Sequence, residues 1–178
     1  MNADQPDDRR ALDRSTLNGA GHATPQELRL DLPAVHSAAR MARHLVRQFA
    51  RAGGLYGSEL DQLVLVADEL LSNAVDHGGG RAARSEAELE RPVRMSMSLD
   101  VSVRGWEIHV ADQGGGDPAI VDGLMHPKGL PDLEDERGRG FFLMAQMVDS
   151  LRVAKSPDGL GLVLIAKRSV PPPTASEH

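Results

Sequence analysis

Residues 67–78 read Ala67-Asp68-Glu69-Leu70-Leu71-Ser72-Asn73-Ala74-Val75-Asp76-His77-Gly78, and Gly79 and Gly80 close the run. Upstream, Ser58 can cap a helix with Glu59 and Asp61 in its acidic first turn, and the three glycines stop it. Within that helix Glu69, Asn73 and His77 recur every four residues. They form one stripe, with neighbouring Cβ atoms about 5–6 Å apart. A carboxylate one turn from a carboxamide suits phosphoryl transfer, because the amide oxygen can ligate Mg2+ and the carboxylate can accept a proton from an attacking hydroxyl. The same spacing also describes the wet face of an amphipathic helix.

Working outward from this helix, Leu28, Leu30 and Leu32 alternate with charged residues, as in a half-buried strand. Pro33 then opens a helix expected to run to about Ala52, with Val35, Ala38, Ala39, Ala42, Leu45, Val46 and Phe49 on its apolar face and Gly53-Gly54 as its stop. Residues 81–92 read as a loop. Val93 to Val103 alternate through a long strand, and Arg104-Gly105 turns into a second strand with Trp106, Ile108 and Val110 on one face. Asp112 to Arg137 is rich in Gly, Pro and Asp and reads as a long loop, a length usually reserved for lids and binding loops. A third helix is expected from Gly138 to Ser150, and two last strands, Leu151 to Lys155 and Leu160 to Lys167, flank the turn at Ser156-Pro157-Asp158-Gly159. This order suits an α+β fold of two layers, a largely antiparallel, mixed sheet with the helices on one face. The folded domain is expected over residues 25–169, with polar, aperiodic tails at 1–24 and 170–178.

Two glycine-rich segments add chemistry. Asp112-Gln113-Gly114-Gly115-Gly116 follows a strand directly; its glycines permit close backbone approach to a ligand, and Asp112 can accept the amino hydrogen of adenine. Read alone, it is also an ordinary glycine turn with a solvated Asp. In Glu136-Arg137-Gly138-Arg139-Gly140-Phe141-Phe142-Leu143-Met144, a glycine turn entering a helix exposes unpaired N–H groups that make an anion site. Phe141, Met144, Ala145 and Val148 can pack that helix on the sheet. The segment is neither a Walker A loop nor a dinucleotide fingerprint.

Composition narrows the field. Apolar residues make up 40% and charged residues 26%, so the chain is ordinary for a globular protein. Aromatics are 3% and the net charge is −6, which argue against stacking on single strands and against gripping a phosphate backbone, so no nucleic-acid partner is expected. The chain has no cysteine, which removes disulfides, thiolate metal sites and thiol nucleophiles. No apolar run reaches membrane-spanning length and the acidic N-terminus is unlike a secretory signal, so a cytoplasmic location with no membrane partner is expected.

Taken together and in this order, the three motifs resemble the nucleotide-binding boxes of the Bergerat-fold ATPases, which include sensor histidine kinases, type II topoisomerases and heat-shock chaperones. ADELLSNAVDHG (67–78) and ERGRGFFLMAQMVD (136–149) look most like bacterial anti-sigma-factor serine/threonine kinases, and the likeness runs from about Glu27 to Arg168. The resemblance implies ATP and Mg2+ as cofactors. It implies Glu69 as general base, Asn73 as magnesium ligand, and His77 beside it at the nucleotide. Asp112, with Gly114 and Gly116, would form the adenine wall, and Gly138, Arg139, Gly140 and Phe141 the phosphate end. The loop from Asp117 to Arg137 would be the ATP lid.

The same resemblance implies the partners: a sigma factor, a small anti-sigma antagonist that is phosphorylated, and a second copy of the chain in a homodimer. The first helix carries a basic stripe, Arg40, Arg43, Arg47 and Arg51, on an otherwise acidic protein. Arg40 best matches the family's partner-contacting arginine, with Arg43 and Arg47 beside it. The stripe also reads as a solvated face whose cations favour the helix C-terminus. An ATP-binding adaptor of a partner-switching system with weak or no kinase activity is the alternative function. A histidine-kinase catalytic domain is disfavoured because no helix pair with a phosphoacceptor histidine precedes the domain. His36 and His44 lie on a lone helix.

Overall fold

Alternation of apolar and polar residues builds a five-stranded sheet in the computed structural model, which describes residues 26–79, 81–102, 104–125 and 136–169. Strand β1 (Gln26–Pro33) leads to helices α1 (His36–Ala52) and α2 (Gly57–Asp76). Strands β2 (Arg94–Ser102) and β3 (Gly105–Ala111), helices α3 (Pro118–Met125) and α4 (Glu136–Met147), and strands β4 (Ser150–Lys155) and β5 (Leu162–Ser169) complete the chain. The strand order is β1-β2-β3-β5-β4 and every pairing is antiparallel. The two expected tails lie outside the described residues.

The sheet is two-faced. Met95, Met97, Leu99 and Val101 of β2 and Trp106, Ile108 and Val110 of β3 are buried under the helices, whereas the alternate residues, such as Ser96, Asp100, Glu107 and His109, face away from them. Helix α2 lies at the centre of the helical layer, and Leu60, Leu63, Val64, Val66, Ala67, Leu70, Leu71, Ala74 and Val75 are all buried. Burying side chains such as Leu63 or Leu70 contributes about 1.5–3 kcal/mol each, which fixes the orientation of α2's polar stripe. With few aromatics available, the core is aliphatic and methionine-rich; Trp106 and Phe141 are its aromatic members among the described residues.

Three expectations are corrected. The region after Asp112 is not one loop: Asp117 accepts the Ala119 N–H through Oδ1 (2.9 Å) and caps α3, with Pro118 at its first position. Gly123, one of the glycines of that expected loop, sits inside the helix. Residues 126–135, the remainder of the expected lid, lie outside the described residues. Helix α1 starts at His36 rather than Pro33, because Ala34 N–H still bonds the Val93 carbonyl (2.9 Å) and prolongs the strand pairing. Leu45, assigned to the buried face of α1, is 37% exposed.

Candidate functional site

The second half of α2 carries Glu69 and Asn73, both half-buried, and is followed by His77, exposed, at its C-cap; two other elements pack against this stretch. The first is α4. Gly140 is buried against Glu69 so closely that a β-carbon at 140 would stand 2.0 Å from Oε1 and 3.0 Å from Cδ. The second is the glycine loop after β3. A β-carbon on Gly114 would meet the Gly78 carbonyl carbon at 2.5 Å and the His77 oxygen at 2.6 Å, and one on Gly78 would meet the Asp112 Cβ at 2.5 Å. These backbone approaches close only because neither residue has a side chain. The stripe on α2, the Asp112 loop and the α4 start, separated by dozens of residues in sequence, therefore meet as one cluster.

Asp112 is clamped. Its Oδ1 accepts the N–H of Gly114 (2.8 Å) and of Leu162 (3.4 Å), while its own N–H donates to the Leu162 carbonyl (2.9 Å). Gly161 presses on it from just before β5: a β-carbon there would lie 2.3 Å from both the Asp112 carbonyl oxygen and Oδ1. Both side-chain bonds land on Oδ1, so among the described residues Oδ2 is left for an outside donor. Burial raises the Asp112 carboxyl above its ordinary value, against the pull of the Gly114 and Leu162 N–H groups; Asp158 adds to the rise and His77 opposes it. Glu69 is also raised, first by burial and then by the charges of Asp68 and Asp76.

The loop itself is held from outside. Gly115 N–H bonds the Leu160 carbonyl (2.9 Å) and Lys155 Nζ donates to the Gly116 carbonyl (2.7 Å). Gly116 has φ +89°, a left-handed conformation that admits glycine readily, and packs on Leu162. Gly114, Gly115, Gln113, Arg91 and Leu160 line a recess of about 430 Å3.

The phosphate end differs from the sequence reading. Helix α4 starts at Glu136, so Gly138 and Gly140 lie within its first turns rather than ahead of them. The N–H of Gly138 is among those a helix start leaves open, whereas Gly140 lies deep enough for its N–H to enter the helical ladder. Phe141 turns into the core beside Met144, so anything it offers a ligand is backbone. The side chain of Arg139 lies outside the described residues. On α1, Arg43 pairs with Asp68 and Arg47 with Asp61 (3.3 Å), joining α1 to α2. Arg40 is exposed and carries no ion pair among the described residues.

Sequence reasoning took Gly78 as a helix stop and Gly161 as part of a strand, and gave Arg91 and Lys155 no role in the site. The glycines sit beside Asp112 only after folding, and no spacing rule signals that; the two cations lie on a loop and an edge strand with no periodic mark.

The residues present fit an adenine nucleotide. Oδ2 of Asp112 can take an exocyclic amine, and the glycine backbone admits a flat ring at close range. No group of three or more His, Cys, Asp or Glu able to hold a metal occurs among the described residues.

No curated protein sequence matches this chain. Among solved structures, a chain of the SiaB–SiaC complex from Pseudomonas aeruginosa aligns with a TM-score of 0.56 at 16% identity, covering 79% of this chain and 88% of that one, a likeness of fold. Residues 32–167 match the model of the histidine kinase-like ATPase domain, and the chain belongs to that family.

Proposed function

We propose that this chain is an ATP-dependent protein serine/threonine kinase that acts as an anti-sigma factor, binding a sigma factor and phosphorylating a small antagonist protein. The observation that carries the reading is the meeting of Glu69 with Gly140 and of Asp112 with Gly78 and Gly161 in one cluster. Membership of an ATPase domain family supplies the nucleotide.

In this reading Asp112 Oδ2 accepts the adenine amine, with Gly114 and Gly116 as the wall. Asn73 holds Mg2+, which neutralises charge on the phosphates when bound. Arg139 and the open N–H groups at the start of α4 take the phosphate oxygens, and His77 lines the nucleotide beside Asn73. Glu69, its proton affinity raised by burial, accepts the proton of the incoming serine or threonine hydroxyl. Because Gly140 lies against Glu69, room for phosphates between them requires the first turn of α4 to move outward as ATP binds. Arg40, exposed on α1, is the first partner-binding residue; Arg43 and Arg47 can join it only by leaving Asp68 and Asp61.

The alternative, an ATP-gated adaptor with weak or no kinase activity, is favoured by one observation: the Glu69 carboxylate is covered by Gly140. A pull-down from native cytoplasm with and without ATP, followed by radiolabel transfer to the captured antagonist, separates the two. Recovery of a sigma subunit and a labelled antagonist supports the kinase. Recovery of both without label supports the adaptor, and recovery of neither rejects both.

A further inference from the structure

Asp112 is held from behind as well as by its own loop. The connection from β4 to β5, Ser156-Pro157-Asp158-Gly159-Leu160-Gly161, lies against it. Ser156 is 5% exposed, the one polar residue buried among the described residues. A hydroxyl is costly to bury unless its hydrogen bonds are made, and here both are. Its Oγ donates to Asp158 Oδ1 (2.6 Å) and accepts the N–H of Gly161 (2.9 Å). Ser156 N–H donates to the Gly161 carbonyl (3.0 Å), so one serine grips both backbone groups of Gly161. Gly161 is also the residue on which Asp112 sits, since a β-carbon there would run into the Asp112 carbonyl oxygen and Oδ1.

A second path reaches the same place from the other side. Gln113, next to Asp112 in the chain, gives Nε2 to Asp158 Oδ2 (3.1 Å) and takes the Arg94 N–H on Oε1 (3.1 Å). A donor on one side and an acceptor on the other leave that amide a single orientation. Asp158 joins the two paths: Oδ1 accepts from the Ser156 hydroxyl and the Leu160 N–H (3.0 Å), and Oδ2 from Gln113. These bonds, the Ser156 hydroxyl first, hold the Asp158 carboxyl below its ordinary value, so it stays an ionised acceptor. Closing the turn needs neither the hydroxyl nor the Gln113 amide. The Gly159 N–H on the Ser156 carbonyl (2.9 Å) and the positive φ of Gly159 (+73°) already close it. The extra bonds run to Gly161 and Gln113, which flank Asp112 in space and in sequence.

We propose that Ser156, Asp158 and Gln113 are positioning residues for Asp112, a role that rests on Asp112 being the adenine contact. They hold its carboxylate where a base amine is met and do not touch the nucleotide themselves. Asp112 Oδ1 is engaged by the Gly114 and Leu162 N–H groups, so Oδ2 keeps its aim at a ligand only while Oδ1 stays fixed. The Leu162 bond is already long, 3.4 Å, and a shift of Gly161 breaks it. Loss of the Ser156 hydroxyl leaves the buried Gly161 N–H without an acceptor and loosens Asp158. Gly161 then moves, and the carboxylate seated on it turns.

Calorimetry on the full chain with two nucleotides tests this: ATP, and purine riboside triphosphate, which lacks only the exocyclic amine. The parent should prefer ATP by about tenfold or more, because the analogue leaves Oδ2 covered and without a donor. Ser156→Ala should bind ATP about tenfold more weakly yet bind the analogue as the parent does, so the preference disappears. Gln113→Glu sets a second carboxylate against Asp158 and should erode the preference about threefold or more. Adding Asp158→Asn to Gln113→Glu should restore it, since the new amide donates to the new carboxylate while its oxygen keeps Ser156 and Leu160. A turn that only stabilised the fold would weaken both nucleotides alike, and that result overturns the proposal. If Ser156→Ala does not fold, the Gln113 variants decide, because Gln113 is only half-buried. A parent that binds the two nucleotides equally overturns the adenine contact and this proposal with it. A parent that prefers ATP, with single variants that keep the preference or a double variant that does not regain it, overturns this proposal alone.

Discussion

The Glu69 carboxylate rests against the α-carbon of Gly140, with only 2.0 Å between Oε1 and the place where a β-carbon would stand. This contact ties the candidate base on α2 to the start of α4. It makes residue 140 a spacer for Glu69. In Gly140→Ala the clash falls on the far end of a flexible side chain, so Glu69 swings aside and the fold persists. Phosphoryl transfer should fall at least about tenfold, since misplacing a catalytic group by an ångström costs that much or more. ATP affinity, measured by calorimetry, should change little, and circular dichroism should match the parent.

Glu69→Gln keeps the shape and removes the base. Transfer to the antagonist should drop by about 10²–10⁴-fold with ATP binding retained, and a radiolabel assay checks this. The same variant reports on stability. The Glu69 proton affinity is raised in the folded chain, so the folded state holds the proton more tightly than the unfolded one. Stability from that group is present at low pH and is lost as pH rises from the ordinary glutamate value, about 4.3, through the raised one. Glu69→Gln should therefore unfold at a higher temperature than the parent at pH 7, and the advantage should shrink toward pH 4. An advantage that grows toward pH 4 would contradict the assigned direction.

Two glycine substitutions should go opposite ways. In Gly78→Ala the new methyl meets the Ala74 carbonyl oxygen at 2.1 Å and the Asp112 Cβ at 2.5 Å, both fixed parts of the site. A loss of about 1–3 kcal/mol and weakened ATP binding are expected. Gly123 lies in α3 with nothing within 4 Å of a β-carbon, so Gly123→Ala should gain about 0.8–1 kcal/mol of helix propensity. Urea denaturation of both variants checks the pair.

The fold was largely legible because its signals are periodic. Leu28, Leu30 and Leu32, the methionines of β2 and the Glu69–Asn73–His77 stripe each repeat with the period of their element, and the three motifs kept their order. What escaped was what periodicity does not encode. Helix α3 announces itself only by Asp117-Pro118, a cap and a first-turn proline lost in a glycine-rich region. Leu45 fits the apolar pattern of α1 yet is 37% exposed, because the pattern cannot tell a core from an unpartnered side. Arg43 and Arg47 read as a free basic stripe, but α2 brings Asp68 and Asp61 across to them. Gly161 matters through Asp112, and that contact exists only once β5 has docked.

Arg40→Glu probes the partner surface. The side chain is exposed and unpaired among the described residues, so folding and ATP affinity should match the parent. A guanidinium grips a carboxylate through two parallel bonds, and reversing its charge should weaken sigma factor and antagonist binding by about tenfold or more. Surface plasmon resonance on both partners measures this, and undiminished binding would move the interface off α1.

The account stands or falls on Asp112, whose side chain lies against Gly78 just past α2 and accepts from Gly114 of its own loop and Leu162 of β5. Calorimetric titration with ATP and Mg2+ of the parent and of Asp112→Ala, each shown to be folded, addresses it directly. The parent should bind one nucleotide saturably, and Asp112→Ala should bind at least about tenfold more weakly, the expected cost of leaving a base amine without its charged acceptor. Equal affinity in the two proteins would place the nucleotide elsewhere and contradict the account.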